Sequence, residues 1–291
     1  MERICQMQNW EIEPMIEFVP IVKNQGFTAI QTSVFQGKKT NSKKWFWMYQ
    51  PLDIAFVDSD LGTKEQFKRL CDVAHKHGLK IYVDIVLRHV AGADYDKLKP
   101  HQSVNPRLLK YIKNVGDCYD YHNRNAYTEL ATGMPMLDYF NPEFEQICIE
   151  FLDDLVACGA DGFRLDSCKH HKLPEEGCNF LRIFERYPDK FIYGECIFED
   201  RWLLDKYAKY IHVLSEGSTS DRNRLVAMIE SHDTFYPESF GYTNRMDDRT
   251  RINEYRNLIQ NTYSPNTLYF CRPFEDLWLS KEIRDINFSK R

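Results

Sequence analysis

Short apolar runs rich in β-branched residues alternate along the chain with stretches whose apolar positions follow helical spacing. Helical spacing is clearest over residues 63–77 and 141–158, where Pro142 suits a first turn and Gly159 a C-terminal cap. Eight runs are predicted as strands: residues 3–7, 27–33, 81–87, 161–165, 191–195, 210–214, 226–229 and 267–271. Strands that alternate with helices imply a parallel sheet with crossover connections, and eight of them favour a closed (β/α)8 TIM barrel of the α/β class.

One segment interrupts this alternation. Residues 90–137 are polar, rich in Tyr, His, Asn and Asp, and show no clear period. A stretch of that length inside a compact domain is usually functional or forms a small subdomain. We therefore predict one catalytic barrel over residues 1–291, with residues 90–137 inserted after the third strand as a short subdomain, called the excursion below.

Composition narrows the class of protein. The net charge is −5 and apolar residues make up 43%, which excludes a disordered chain and argues against a nucleic-acid partner. The nine cysteines are scattered and include no CxxC pair, which indicates neither a disulfide framework nor a zinc site. No secretory signal and no membrane span are recognisable, so the expected location is cytoplasmic.

Acidic residues recur where predicted strands end. Asp166, Glu195 and Asp233 each lie at such an end, with Asp84 and Glu230 nearby on the same strands. In a barrel, the C-terminal strand ends meet on one face, so three carboxylates are expected to converge on one pocket. A single acidic residue at a strand end is commonly solvated or caps the next helix. Three in order, each after a strand, favour a shared site instead.

Two converging carboxyl groups suit glycoside hydrolysis with retention of configuration, in which one acts as nucleophile and the other as acid. Arg164 and Asp166 lie two residues apart on a strand, so their side chains point to the same side and the guanidinium would favour an ionised Asp166. The neighbours of Glu195 in sequence carry no charge that would stabilise its anion, which suits a protonated acid.

These segments resemble the four ordered motifs of the α-amylase family, glycoside hydrolase family 13, and look most like its Bacillus-type members. Residues 84–89 resemble the first motif, 162–170 the second, Glu195 the third and 232–233 the fourth. Residues 26–33, 49–51 and 268–270 also resemble the family's barrel, so the similarity covers nearly the whole chain.

The resemblance implies a role for each matching residue. Asp166 would be the nucleophile, Glu195 the acid and then the base, and Asp233 the stabiliser of the transition state. Tyr49 would stack on the sugar, with Trp45 or Phe46 extending that platform, although core packing is the alternative for these aromatic residues. Further substrate-binding residues would be His89, Arg164, Lys169, His170 and His232. A satisfied core histidine is the alternative for His89 and His232, and a solvated position is the alternative for Lys169 and His170.

Two departures from the family's pattern concern its structural calcium. Arg88 stands where the first motif usually carries Asn, and Met136 stands where the excursion usually carries Asp. Because a cation site that loses a carboxylate and gains a guanidinium should lose its ion, we expect no calcium there and no organic cofactor. Arg88 would then occupy the ion's place and pair with an Asp of the excursion. The β-sandwich domain that follows the barrel in the family is also expected to be missing.

The leading hypothesis is an α-glucan hydrolase that cleaves α-1,4-glucosidic bonds in starch-type polysaccharides or maltodextrins. A transglycosylase on the same site and a non-catalytic glucan-binding member remain the alternatives. The sequence leaves open endo or exo action, the preferred glucan length and the oligomeric state.

Overall fold

Eight parallel strands close into a barrel in which each strand pairs with its neighbours in chain order and β8 pairs with β1. The computed structural model describes residues 1–40, 44–228, 231–232, 250, 253, 257 and 264–271. The strands are β1 (Arg3–Gln6), β2 (Ala29–Val34), β3 (Lys80–Ile85), β4 (Gly162–Leu165), β5 (Phe191–Glu195), β6 (His212–Ser215), β7 (Leu225–Met228) and β8 (Asn266–Phe270). The predicted (β/α)8 barrel is confirmed.

Helices connect the strands on the outside of the barrel. Within the described residues, the α-helices are α1 (Ile12–Asn24), α2 (Lys64–Lys76), α3 (Arg124–Glu129), α4 (Pro142–Ala157) and α5 (Arg201–Tyr207). Short 3-10 helices occupy Trp45–Tyr49, Pro106–Tyr111, Cys168–His170, Pro174–Glu176, Phe180–Arg186 and Arg222–Arg224. Among these residues, no helix combines the length and the apolar character needed to cross a bilayer.

The two helices expected from spacing begin and end for local reasons. Thr63 caps α2 through a reciprocal pair of hydrogen bonds with Gln66, which satisfies donors that the first turn leaves unpaired. Pro142 opens α4 and Asn141 caps it, and Gly159 follows the helix with φ 106°, a conformation that favours glycine. The predicted limits, 63–77 and 141–158, include these capping residues.

Alternation along the strands separates two apolar cores. A cluster inside the barrel contains Ile4, Ala29, Tyr82, Tyr193, Leu214, Val226 and Leu268, all of them buried. A larger cluster fills the space between the barrel and its surrounding helices. The inner cluster lies toward the starts of the strands, so the polar side chains that follow two residues later, Gln6, Gln31, Asp84 and Glu195, are placed at their C-terminal ends.

Strand limits differ from those predicted by one to two residues at several ends. The run 81–87 predicts a strand that continues to residue 87, whereas β3 ends at Ile85, after which the chain turns away toward the excursion. The run 210–214 predicts a start at residue 210, whereas β6 begins at His212, where pairing with Tyr193 of β5 begins. Apolar runs continue past the last paired residue because loop residues next to the barrel are also buried.

Residues 90–137 contain α3 and the 3-10 helix Pro106–Tyr111, and isolated β-bridges hold parts of the segment together. The first and last residues of this segment lie next to each other. The backbone N–H of Leu137 donates to the carbonyl of Arg88 at 2.8 Å, and His89 forms a β-bridge with Met136. The two ends of the excursion are therefore joined next to the C-terminal end of β3. Its treatment as a separate subdomain remains a prediction.

Candidate active site

Arg164 lies at the centre of a cluster of buried carboxylates. Its Nη1 is 2.9 Å from Asp84 Oδ1 and 2.9 Å from Asp166 Oδ1, and its Nη2 is 2.9 Å from Glu195 Oε2. The side chain of Arg164 is 1% exposed and those of the three acids are 12% exposed or less. One guanidinium thus gathers acidic groups from three consecutive strands.

The register of the barrel places these groups side by side. Asp84 of β3 is paired with Arg164 of β4, and Arg164 is paired with Tyr193 of β5, two residues before Glu195. Asp166 follows β4 directly, and its backbone N–H donates to the carbonyl of Ile85 at 2.9 Å. Alternation along β4 and β5 turns Arg164, Asp166 and Glu195 to the same face of the sheet, and their positions at the ends of the strands place them at the C-terminal end of the barrel.

The turn after β4 supplies a further donor to Glu195. Ser167 has φ 50°, in the left-handed region, and its backbone N–H donates to Glu195 Oε2 at 2.8 Å. The 3-10 helix that begins at Cys168 packs closely on β5, where Gly194 leaves room for it, because a Cβ there would lie 2.3 Å from Cys168 Sγ. The unusual backbone at Ser167 is the kind of local strain that recurs at functional sites.

Burial raises the pKa of Asp84 to about 7, with the positive charge of Arg164 opposing this rise. Burial likewise raises the pKa of Asp166 and of Glu195 above their ordinary values, against the same opposition from Arg164. Repulsion from Asp166 raises the pKa of Glu195 further. Because the two carboxyls interact, their protons belong to the pair, which titrates in two steps.

The residues that flank Glu195 in sequence carry no charge, but a charge reaches its side chain from the neighbouring strand. Arg164 contacts Glu195 as closely as it contacts Asp166, across the strand pair rather than along the chain. The charge next to Glu195 could not be predicted from its neighbours in sequence, because the guanidinium reaches it from β4. The guanidinium alone does not distinguish the roles of the two acids.

Tyr49 and His232 form an aromatic wall beside the acids. Their rings stack, with centroids 5.0 Å apart and planes 7° apart, and Trp45 packs against both. The Tyr49 hydroxyl donates to Asp84 Oδ2 at 2.7 Å, and Arg164 lies 5.5 Å from the centre of its ring. Tyr49 is therefore a partner of the acidic cluster, and its stacking on a sugar remains a prediction.

His89 and His232 are held as neutral rings. His89 Nε2 donates to the carbonyl of Tyr49 at 2.8 Å, and burial lowers the pKa of His89 to about 4. Its Nδ1 then carries no proton and can only accept. Because Nε2 already donates to the backbone, the ring has no proton left to donate to a sugar. Gln6 Nε2 donates to Nδ1 of His232 at 3.1 Å, which leaves the proton of that ring on Nε2, and burial lowers the pKa of His232 as well.

Lys169 and His170 point in different directions. Lys169 Nζ donates to the carbonyl of Ile197 at 2.8 Å and lies 3.5 Å from Glu199, so it flanks the loop that follows Glu195. His170 is turned toward the excursion, where its Nδ1 donates to the carbonyl of Tyr127 at 3.1 Å. The structure thus brings Lys169 near the acids, whereas it places His170 at the junction between barrel and excursion.

The third predicted carboxylate, Asp233, lies outside the described residues, as does Glu230. Its role therefore remains a prediction. In the parts of the chain that the structure describes, no group of three or more His, Cys, Asp or Glu side chains is arranged to hold a metal ion.

Three residues of this region had not been expected from the sequence. The Tyr193 hydroxyl donates to Gln31 Oε1 at 2.8 Å, and Gln31 Nε2 donates to Asp84 Oδ2 at 3.3 Å. Tyr193 and Gln31 thus hold Asp84 from inside the barrel. Phe198 is 63% exposed, has φ 59° and lies with its ring centre 5.9 Å from Lys169 Nζ. Inward alternation on β2 and β5 could have indicated Gln31 and Tyr193, whereas Phe198 depends on loop conformation.

Comparisons with known proteins bear on the family and on the fold. The family model described as the alpha amylase catalytic domain matches residues 11–232. The chain belongs to the α-amylase family.

An α-amylase of Clostridium acetobutylicum is 34% identical over 265 residues, which cover 78% of this chain and 35% of that protein. An α-amylase of Butyrivibrio fibrisolvens is 26% identical over 91% of this chain and 34% of its own length. The chain thus spans about a third of the length of these α-amylase relatives.

Solved structures of α-amylase-type proteins share the fold. The α-amylase of Geobacillus thermoleovorans, solved in complex with acarbose, superposes with a TM-score of 0.74 at 19% identity, over 98% of this chain and 76% of that one. A cyclomaltodextrin glucanotransferase superposes with a TM-score of 0.73 at 18% identity, over 92% of this chain and 71% of that one. At these identities, the likeness establishes the α-amylase barrel and no more.

Proposed function

We propose that this chain is a retaining glycoside hydrolase that cleaves α-1,4-glucosidic bonds in starch-type glucans or maltodextrins. The observation that carries the proposal is the single guanidinium, Arg164, which binds Asp166 and Glu195 through different nitrogens at adjoining strand ends. Two adjacent carboxyl groups in one pocket are what a double-displacement mechanism requires. Membership of the α-amylase family supports the choice of an α-glucan as substrate.

In the first step, Asp166 attacks the anomeric carbon while Glu195 gives its proton to the glycosidic oxygen. The bond between that carbon and that oxygen breaks, the shortened glucan leaves as an alcohol, and a glycosyl ester on Asp166 remains. Burial of Glu195 and repulsion from Asp166 support this step, because both raise the pKa of Glu195 and so favour its protonated form.

In the second step, Glu195 accepts a proton from water, and the oxygen of that water attacks the same anomeric carbon. The ester bond to Asp166 breaks, which regenerates both carboxyl groups. Arg164 would balance the negative charge that passes between the two acids, since it contacts both. Asp84 and Tyr49 would hold Arg164 and the aromatic wall in place through the hydrogen bond between them.

Substrate chemistry is inferred from the wall of Tyr49, Trp45 and His232 and from the relatives. Aromatic faces bind the apolar faces of sugar rings, and these three aromatic side chains pack together next to the acids. The similar Geobacillus protein was solved with acarbose. We therefore infer an oligosaccharide substrate, with Lys169 and Asp233 as further binding or stabilising residues.

Release of reducing ends from maltoheptaose tests the activity. We expect cleavage by the wild type and a loss of at least about a thousandfold in D166N and E195Q, because each removes a group that the reaction needs. D154N and E185Q are matched controls, since Asp154 and Glu185 form exposed ion pairs away from the site. Products longer than the substrate would indicate a transglycosylase instead. Glucan binding without any product would overturn the proposal in favour of a non-catalytic member.

An activated substrate separates the two roles. Fluoride leaves without protonation, so α-maltosyl fluoride needs the nucleophile but not the acid. We expect E195Q to retain release of fluoride well above the level of D166N, in a burst that reflects the stalled second step. Equal loss of fluoride release in the two variants would contradict the assignment of Asp166 as nucleophile and Glu195 as acid.

A further inference from the structure

Arg88 is a buried cation enclosed by oxygen atoms of the backbone. Its Nε donates to the carbonyl of His170 at 2.9 Å, and its Nη1 lies 3.3 Å from the Thr132 hydroxyl. Its Nη2 donates to carbonyls of the excursion, those of Tyr127 at 3.2 Å, Thr128 at 3.3 Å and Leu130 at 2.9 Å. The residue is 1% exposed. One guanidinium thus satisfies carbonyls from both sides of the junction between the barrel and the excursion.

No carboxylate in the described part of the chain forms an ion pair with Arg88. The expectation that it pairs with an Asp of the excursion is therefore wrong, and the positive charge is balanced by carbonyl dipoles instead. Met136, which stands where the resemblance implied a carboxylate, is fully buried. An inward-facing set of carbonyl oxygens is itself a site for a cation, because each oxygen carries partial negative charge.

We propose that the Arg88 guanidinium is a built-in cation that takes the place of the calcium ion expected at this junction. The residues present do not fit a resident metal ion, for two physical reasons. The oxygens that would bind the ion already accept hydrogen bonds from the guanidinium, whose nitrogens lie 2.9–3.3 Å from them and occupy the space that the ion would need. A second cation within a few ångströms of a buried guanidinium would also be strongly repelled.

The same junction is connected to the candidate active site. Arg88 holds the carbonyl of His170, while Arg124 of α3 donates to the carbonyls on either side, those of Lys169 at 2.5 Å and His171 at 2.9 Å. Two arginines therefore bind three consecutive carbonyls of the segment that follows Asp166. The built-in cation thereby ties the excursion to the loop that carries Lys169.

The wild-type protein provides the first test, with thermal unfolding and metal content as readouts, so that failure of the glycosidase proposal would not affect the result. After purification in millimolar calcium chloride and desalting, we expect no bound calcium, and a melting temperature that changes by less than about 1 °C between EDTA and calcium. Stoichiometric calcium, or a clear fall of the melting temperature in EDTA, would overturn the proposal.

Substitutions at Arg88 provide the second test. In EDTA we expect R88K to lower the melting temperature by about 5 °C, since it keeps the charge but loses donors, and R88D to lower it further. Calcium should restore part of the loss in R88D alone, because the new carboxylate and the vacated carbonyls would bind it. R182A, which removes an arginine of an exposed ion pair, is the matched control and should change neither value. An R88D protein that is as stable as the wild type, or that gains nothing from calcium, would refute the built-in cation.

Discussion

Asp84 is the residue whose protonation most directly links the site to stability. It is fully buried between Arg164, Tyr49 and Gln31, and burial raises its pKa to about 7, compared with 3.8 for an ordinary Asp. Between these two values the folded protein holds a proton that the unfolded chain releases. The contribution of Asp84 to stability is therefore full below about pH 4 and is lost as the pH rises through 7.

D84N should remove this dependence. We expect the free energy of unfolding, measured in urea between pH 4.5 and 7.5, to fall less steeply with pH in D84N than in the wild type. The difference between the two proteins over this range should be on the order of 2–4 kcal/mol, the size that such a pKa rise implies. Parallel pH profiles for the two proteins would contradict the raised pKa of Asp84. D154N, at an exposed ion pair, is the control.

At the residue scale, the sequence predicted a contact within one strand but not a contact between two strands. The spacing of Arg164 and Asp166 predicts two side chains on one side of a strand, and the structure shows them in contact. The contact of Arg164 with Glu195 was missed, since the two are separated by 31 positions in sequence and meet only through the pairing of β4 with β5. A guanidinium long enough to reach a neighbouring strand cannot be assigned its partners from its own segment.

At the scale of elements, the contact between β5 and the 3-10 helix Cys168–His170 depends on Gly194. A Cβ at this position would lie 2.3 Å from Cys168 Sγ and 2.7 Å from Ile211 Cδ1, both of which are buried. The same short helix follows Ser167, whose backbone N–H donates to Glu195. Displacing it should therefore disturb the site as well as the packing.

G194A tests this dependence. We expect a loss of about 1–3 kcal/mol in unfolding free energy, typical of an overpacked core, and a fall of at least tenfold in kcat with maltoheptaose. G116A is the matched control, because a Cβ at Gly116 meets no atom within 4 Å. If G194A and G116A are equally stable and active, the close approach of the helix to β5 does not constrain the site.

The two well-patterned helices were predictable to within their capping residues, because apolar spacing and the caps at Thr63 and Asn141 are local signals. The elements of the excursion, among them α3, were not predicted. These elements are short, so no single apolar period extends through the segment.

At the scale of the whole molecule, Arg124 joins the excursion to the barrel. It forms an ion pair with Glu176 at 2.6 Å and a hydrogen bond of 2.8 Å with the hydroxyl of Tyr207 in α5, in addition to its bonds to the carbonyls of Lys169 and His171. These contacts link α3 to the loops after β4 and to α5. We therefore expect α3 and the loop after β4 to unfold locally as one unit.

Hydrogen exchange measures this coupling. In the wild type, we expect amides of α3 to be protected about as well as those of the loop after β4. In R124A, exchange in α3 should rise at least tenfold, while amides of α2, which packs on α1, change little. R182A is the control, and exchange should be unaffected there. Unchanged exchange of α3 in R124A would show that Arg124 does not hold the excursion.

The sequence by itself determined the barrel, the order of its strands and the strand ends at which Asp84, Asp166 and Glu195 lie. These properties follow from apolar periods of two and 3.6 residues, which each segment carries independently of the rest. Only the tertiary structure decided that Arg164 serves both Asp166 and Glu195 and that Arg88 binds carbonyls rather than an Asp. The physical reason is that both depend on how distant segments fold together. Arg164 and Glu195 meet only through the pairing of β4 with β5, and every residue type has a backbone carbonyl, whose direction leaves no mark in the sequence.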